Sequence, residues 1–212
     1  QPGLFAPEPL SLVNDAEGGI RYLPDSIPAI AAQQWFEQLL ENIGWVSQQR
    51  MMYDREVAVP RLLATFAREA EDLPAPLGEA FEAVRALLGA PFNRVGLNLY
   101  RDGNDSVAWH GDNIGRSRRE DTMVAIVSLG SPRPLALRPR GGGASLKFTL
   151  SAGDLLVMGG SCQRTWEHAV PKVPHAGPRI SIQFRPRGIM PQRGRAAAAA
   201  ASRASALTGP SP

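Results

Sequence analysis

The sequence predicts a mainly β fold with flanking helices, built as a sandwich or barrel. From residue 94 onward, short apolar runs are separated by Gly, Pro and Asp, which is typical of regularly spaced short strands. Ahead of them lie two segments whose apolar residues recur every three to four positions, as in amphipathic helices. A chain of 212 residues suits one domain. We therefore expect helices first, packed outside an all-β core.

The first helix is predicted over residues 26–43, after a start signal that includes Pro28. The second is predicted over residues 77–88, where Gly89 and Pro91 end it. The predicted strands share short length and flanking turn residues, and cover residues 94–101, 122–129, 145–150, 154–158 and 179–185.

Three regions follow from this pattern. Residues 1–90 supply helices and strands that support the core and a substrate lid, residues 91–187 form the core, and residues 188–212 form a low-complexity tail. The tail has no hydrophobic anchor, so we expect it to be disordered.

Composition excludes several classes of protein. No run approaches the roughly 18 apolar residues that a membrane span needs, and the lone Cys162 excludes a disulfide framework or a Cys-rich zinc site. A cytoplasmic monomer that does not bind membranes is expected.

Residues 186–212 hold four of the 23 basic residues and no acid, so the remainder carries 19 basic against 20 acidic side chains. Net charge alone therefore does not predict a nucleic-acid partner.

A metal site is predicted from His110, Asp112 and His168. In extended backbone His110 and Asp112 leave on the same face, with Gly111 between them, and His168 follows Asp112 by 56 residues. Two imidazoles and one carboxylate form the facial triad that leaves positions open on non-haem iron(II). The alternative is a chance pair of residues, because a lone histidine is more often a surface or core residue.

Two strands predict a polar pocket beside these residues. Alternation places Arg179, Ser181, Gln183 and Arg185 on one face of the last strand, suited to bidentate capture of a dicarboxylate such as 2-oxoglutarate. The same alternation places Asn98 and Tyr100 together on residues 94–100. The alternatives are an edge strand facing water and a buried tyrosine capped by backbone.

At this point the chain resembles the AlkB-like dioxygenases, which oxidatively dealkylate nucleic-acid bases. The matching stretches lie in the family's order between about residues 91 and 187: Pro91 to Asn93, Asn98 to Gly103, Trp109 to Asp112, Val127 to Gly130, Gly153 to Met158, Gln163 to His168 and Arg179 to Arg185. Weaker similarity covers residues 52–55 and 59–62.

The resemblance implies a double-stranded β-helix (jelly-roll) barrel that uses Fe(2+), 2-oxoglutarate and O2. It implies that His110, Asp112 and His168 hold the iron. The 2-oxoglutarate contacts it implies are Asn98, Tyr100, Arg179 and Arg185, with Ser181 standing where the family usually has Asn. His175 is then a loop residue and not a ligand.

The implied reaction removes N-alkyl groups of the 1-methyladenine or 3-methylcytosine type from DNA, including single strands, or RNA, with release of formaldehyde, succinate and CO2. Six arginines are candidate phosphate contacts: Arg116, Arg118, Arg119, Arg133, Arg138 and Arg140. Four aromatic residues are candidates for base stacking, with core packing as the alternative: Tyr53, Phe66, Trp109 and Trp166.

Two alternatives stay open. Repair enzymes of the family tend to carry an acid where this chain has Ile114, and residues 66–76 form a short acidic stretch where the family builds an aromatic lid. Both features favour the same chemistry on a protein side chain or a small metabolite. The second alternative is a non-catalytic nucleic-acid-binding barrel, which the complete set of His110, Asp112, His168 and both arginines disfavours.

Overall fold

The computed structural model of the protein describes residues 9–15, 18–52, 55–111, 123–159 and 162–186. Twelve strands and three helices lie in this part of the chain: β1 (Leu10–Asp15), β2 (Gly18–Leu23), α1 (Ala29–Asn42), β3 (Val46–Met52), β4 (Arg55–Ala67), α2 (Ala75–Leu88), β5 (Phe92–Tyr100), β6 (Val107–His110), β7 (Val124–Gly130), β8 (Arg133–Pro139), β9 (Leu146–Leu150), β10 (Leu155–Gly159), α3 (Cys162–Thr165), β11 (Trp166–Val170) and β12 (Arg179–Pro186).

The strands form two antiparallel sheets. The larger has eight strands in the order β1-β2-β10-β7-β12-β5-β4-β3, and the smaller has four in the order β6-β11-β8-β9. Neighbours that are distant in sequence, such as β12 between β7 and β5, give the arrangement of a jelly roll. The predicted mainly β jelly-roll fold with flanking helices is confirmed.

Two apolar clusters result from the alternation of side chains along the strands of the large sheet. Ile126, Leu156 and Tyr100 join residues of the small sheet such as Leu137 in a core between the sheets. Residues on the other face pack with both long helices in a second core, for example Val127 and Ile182 with Trp35, Leu39, Phe81 and Val84. The large sheet is therefore covered on both faces.

Both predicted helices form. The first runs over Ala29–Asn42 and the second over Ala75–Leu88, two residues earlier than predicted because Pro76 is accommodated in the first turn. Gly89 adopts a left-handed conformation with φ of 65°, and its N–H donates to Arg85 O, which closes the helix. Within the described ranges, no helix is both long and apolar enough to cross a bilayer.

The expectation of helices ahead of an all-β core is wrong. The hairpin β1–β2 precedes α1 and pairs with β10, and β3–β4 lies between the helices and pairs with β5. The small-sheet strands β6, β8 and β11 were also missed. Prolines hide two of these strands from local patterns, since β4 contains Pro60 and β8 contains Pro134 and ends at Pro139.

Candidate active site

Two of the three predicted metal ligands meet across the small sheet. His110 is the last residue of β6 and His168 lies within β11, and the antiparallel register of these strands places the two residues opposite each other. Their ring centroids are 4.2 Å apart, with the ring planes inclined at 50°. The pairing joins residues 58 positions apart, so it is a product of the strand order and not of local geometry.

The ring of His110 is oriented by its own strand. Its Nδ1 lies 2.9 Å from the backbone oxygen of Ala108. A proton on Nδ1 donates to this oxygen and leaves the lone pair of Nε2 available to a metal, which is the usual way in which a ligating histidine is oriented. Asp112 lies outside the described residues, and within those residues no cluster of three or more His, Cys, Asp or Glu suited to a metal occurs.

Gly111 allows the chain beyond His110 to pass close to the strand that carries His168. A Cβ at Gly111 would lie 3.0 Å from Gln163 O and 3.1 Å from Trp166 O, and 2.6 Å from Nη2 of Arg140. The arginine could move, but the two backbone oxygens belong to α3 and β11 and could not move without shifting those elements. Glycine therefore keeps His110 and His168 on closely packed segments.

The side chains predicted to form a polar pocket lie on the inner face of the large sheet. Arg179 pairs with Tyr100, and Ser181 pairs with Asn98 on one side and with Ser128 of β7 on the other. All five side chains are buried. The structure thus brings the predicted residues of β5 and β12 together and adds Ser128, which sequence reasoning missed because its place beside Ser181 depends on strand order.

Arg179 is 2% exposed, and Nε donates to Ser128 Oγ at 2.9 Å. Its guanidinium carbon lies 5.3 Å from the centroid of the Tyr100 ring. In the described part of the structure Nη1 has no hydrogen-bond partner, and no carboxylate forms an ion pair with this arginine. Burial lowers the pKa of Arg179, and Tyr100 opposes that shift. A buried cation with an unused N–H can bind a ligand carboxylate strongly.

Tyr100 supplies a protonated phenol next to this arginine. Burial raises the pKa of Tyr100, although the charges of Arg179, Arg61 and Arg133 act in the opposite direction. The phenol therefore keeps its proton at neutral pH and can donate it to an acceptor in the pocket.

Arg61 of β4 is a second residue that sequence reasoning missed. Its Nε donates to Asn98 Oδ1 at 3.2 Å, from the strand that pairs with β5. The available signal was the weak similarity over residues 59–62, which did not assign a role to this arginine.

Arg185 lies at the other end of the β12 face and is 7% exposed. Its two Nη atoms are each 3.5 Å from Gln183 Oε1, and Gln183 Nε2 donates to Ser181 Oγ at 3.2 Å. Opposite Gln183, a Cβ at Gly96 would come within 3.3 Å of Arg185 Nη1, so glycine leaves room for the guanidinium. Polar groups thus extend along the inner face from Arg179 to Arg185.

The proposal of Arg133 as a phosphate contact is wrong. Arg133 is 1% exposed and donates to three backbone oxygens, those of Asp102, Asp105 and Pro171, at 2.7, 2.8 and 2.9 Å. It joins the loop after β5 to the residue after β11, and its role is structural.

Two further arginines lie beside β6 and β11. Arg138 is held by Glu167 through hydrogen bonds of 2.9 and 2.8 Å, and its guanidinium carbon lies 4.2 Å from the centroid of Trp109. Arg140 is exposed, and its backbone N–H donates to Thr165 O. The other candidate phosphate contacts, Arg116, Arg118 and Arg119, lie outside the described residues.

The remaining candidates fall into core and loop positions. Phe66 belongs to β4 and packs with the helix-side core, so the expected lid segment begins inside a strand, and Trp166 packs with the core between the sheets. Tyr53 and Ile114 lie outside the described residues. His175 is exposed on the loop between β11 and β12, as predicted, in a surface depression with Asp102 and Asn104. His168 and not His175 is the histidine that contacts His110.

Comparison with solved structures supports the fold. A prolyl hydroxylase from Trichoplax adhaerens, solved with a peptide of hypoxia inducible factor, superposes with a TM-score of 0.60 over 79% of this chain and 84% of its own, at 13% identity. At this identity the likeness concerns the fold alone.

Comparison of sequences defines the family. Residues 63–185 match the 2OG-Fe(II) oxygenase superfamily. Alpha-ketoglutarate-dependent dioxygenase alkB homolog 3 from Bos taurus is 30% identical, and the human protein 29% identical, over 85% of this chain and 73% of each relative. The DNA oxidative demethylase ALKBH2 of Arabidopsis thaliana is 28% identical over 77% of this chain and 65% of its own. The chain therefore belongs to the AlkB-like dioxygenases of the 2OG-Fe(II) oxygenase superfamily, and uses Fe(2+), 2-oxoglutarate and O2.

Proposed function

We propose that this dioxygenase oxidatively demethylates N-alkylated bases, of the 1-methyladenine or 3-methylcytosine type, in DNA or RNA. The observations that carry the proposal are the contact of His110 with His168 and the buried polar face of β5 and β12 that includes Arg179. The relatives named as DNA oxidative demethylases support the nucleic-acid substrate.

The donor set fits iron(II). His110 and His168 would supply two imidazoles, and Asp112 would supply the carboxylate that completes a facial triad. Bound there, iron(II) supplies O2 activation, so that 2-oxoglutarate is converted to succinate and CO2 while an N-methyl group is hydroxylated. The resulting N-hydroxymethyl base releases formaldehyde and regains its N–H or lone pair.

The chain's own residues would bind and orient the co-substrate. Arg179 and Tyr100 form the most buried end of the pocket, where a guanidinium and a protonated phenol can both donate to one carboxylate. Asn98 and Ser181 line the middle, and Arg185 offers a second cation further along β12. This cationic face suits a dicarboxylate better than a monocarboxylate, because each of the two arginines can bind one negatively charged carboxylate.

Exposed Arg140, beside Gly111, is the described arginine placed best to contact a phosphate group of the substrate.

A protein side chain or small metabolite as the substrate is favoured by Ile114 and by the position of Phe66 inside β4. A non-catalytic barrel is disfavoured by the unused N–H of Arg179 in the described pocket, since burying a cation with no ligand is costly.

We further propose that residues 91–187 carry the reaction and that residues 1–90 take part through Arg61 of β4. The expected disorder of residues 188–212 lies outside the described residues. The cytoplasmic location and the monomeric state stay predictions.

The test uses purified protein with iron(II), 2-oxoglutarate, O2 and a single-stranded oligonucleotide that carries one 1-methyladenine or 3-methylcytosine. Succinate, formaldehyde and the loss of the methyl group should appear in equal amounts, should disappear with His110→Ala, and should persist with the exposed-loop variant His175→Ala. An RNA oligonucleotide of the same sequence compares the two polymers. Succinate formed without any demethylation would contradict the nucleic-acid substrate and favour the protein or metabolite alternative.

A further inference from the structure

Arg61 lies on a strand outside the predicted core and contacts Asn98 of the predicted co-substrate site. Among the described residues, the side chain of Asn98 has one hydrogen bond, and it comes from Nε of Arg61 at 3.2 Å. An Nε–H group can only donate, so the atom of Asn98 that faces it must be the oxygen. The amide nitrogen of Asn98 is thereby turned away from Arg61.

Asn98 lies where this orientation matters for a carboxylate ligand. It is 8% exposed and pairs with Ser181 of β12, two residues along each strand from the Tyr100–Arg179 pair. An Asn side chain can present either a donor or an acceptor to the pocket, and only its nitrogen can bind a carboxylate. If Asn98 were free to rotate, part of the population would present its oxygen and repel the ligand.

The neighbouring position on β12 does not provide this control. Ser181 Oγ accepts from Gln183 Nε2 at 3.2 Å, and among the described residues the hydrogen bond to the side chain of Asn98 comes from Arg61 and not from Ser181. Burial raises the pKa of Tyr100, and the positive charge of Arg61 is one of those that oppose this rise.

We propose that Arg61 is a positioning residue that fixes the amide of Asn98 through its Nε–H, so that the amide nitrogen faces the carboxylate of 2-oxoglutarate. The inference rests on the proposed co-substrate site. It makes the segment before residue 91 a part of co-substrate recognition and not only a support.

Two substitutions separate the hydrogen bond from the charge. Glutamine places its amide nitrogen the same number of bonds from Cα as arginine places Nε, so Arg61→Gln keeps the donor and removes the charge. Methionine places a methyl group at that position, so Arg61→Met removes both at similar length. Arg68→Met is the matched control, since Arg68 follows β4 and pairs with Glu82 at the surface.

The measurement is calorimetric titration of each variant with 2-oxoglutarate in the presence of Mn(II), together with thermal unfolding of the metal-free protein. We expect Arg61→Met to weaken 2-oxoglutarate binding about tenfold and Arg61→Gln to stay within about twofold of the unsubstituted protein. Arg68→Met should leave the affinity unchanged. In an Asn98→Ala background Arg61→Met should have no further effect, because the group that it positions is gone.

Equal losses for Arg61→Gln and Arg61→Met would overturn the proposal, since they would show that Arg61 acts through its charge or by direct contact. An undiminished effect of Arg61→Met in the Asn98→Ala background would also overturn it. A protein without substitutions that binds no 2-oxoglutarate would contradict the whole co-substrate site, whereas activity on a substrate other than nucleic acid would leave the role of Arg61 intact.

Discussion

Arg179→Met should strongly weaken ligand binding while changing the stability of the ligand-free protein only a little. Arg179 is 2% exposed, and within the described residues its charge faces no carboxylate. Losing a buried charge pair with the co-substrate should cost about 2–5 kcal/mol of binding free energy. The Kd for 2-oxoglutarate should therefore increase by a factor between about 30 and several thousand.

The free energy of unfolding of the ligand-free protein should change little. Replacing buried ionic groups by well-packed apolar side chains of similar volume can stabilise proteins by about 1–4 kcal/mol. The substitution also removes the hydrogen bond to Ser128 and the contact with the Tyr100 ring, each contributing about 1 kcal/mol. The net change therefore lies between a loss of about 1 kcal/mol and a gain of about 2 kcal/mol, so Tm should change by only a few degrees in either direction.

Arg133→Met provides the contrast. Arg133 is buried to the same degree but donates to three backbone oxygens, so its removal leaves those oxygens without their donor. We expect a loss of at least about 2 kcal/mol and a fall in Tm of about 4–8 °C. Thermal unfolding of metal-free protein and titration with 2-oxoglutarate in Mn(II) measure both effects. The reasoning is refuted if Arg179→Met lowers Tm as much as Arg133→Met and leaves the affinity unchanged.

Three further outcomes are expected. His168→Ala should abolish stoichiometric Mn(II) binding and His175→Ala should not, because His168 contacts His110. Titration with Mn(II) followed by electron paramagnetic resonance distinguishes the two variants, and equal losses of binding would contradict the assignment of His168 as the ligand. Gly111→Ala should weaken Mn(II) binding by about tenfold or more, because its Cβ would displace the segment next to Gln163 and Trp166; unchanged affinity would show that the close approach is not needed. Burial raises the pKa of Asp105, but the hydrogen bonds and charge of Arg101 outweigh it, so the pKa lies below its usual value. The ionised carboxylate therefore adds to the free energy of unfolding above the unfolded-state pKa of about 4, and this contribution is lost as the pH falls below that value. In urea unfolding, the free energy of unfolding should fall less between pH 5 and pH 3 for Asp105→Asn than for the unsubstituted protein. An identical pH dependence of the two proteins would contradict this.

Local patterns in the sequence correctly predicted which side chains lie on the inner face of the large sheet. Alternation along residues 94–100 and 179–185 placed Asn98, Tyr100, Arg179 and Arg185 on one face, and the register of β5 with β12 brings them together. Such patterns are readable because successive side chains of any strand alternate, whatever the strand pairs with. The two helices are readable for the same reason, since their repeat is also local.

Strand order could not be derived from those patterns. Ser128 becomes a partner of Arg179 because β7 lies beside β12, and Arg61 reaches Asn98 because β4 pairs with β5. The prolines of β4 and β8 hid both strands from a reading based on propensity, yet tertiary pairing keeps them in the sheets.

The residue types of the site, their spacing along each strand and the family to which they point can all be recognised without a structure. The order and register of the strands bring His168 into contact with His110. They also place Arg133 against three backbone oxygens and Arg179 beside Ser128, which the local sequence around each arginine does not indicate. Arginines and histidines of similar local sequence take different roles because the fold surrounds them with different residues. Burial, unpaired donors and opposing charges are properties of residues that are distant along the chain and adjacent in space.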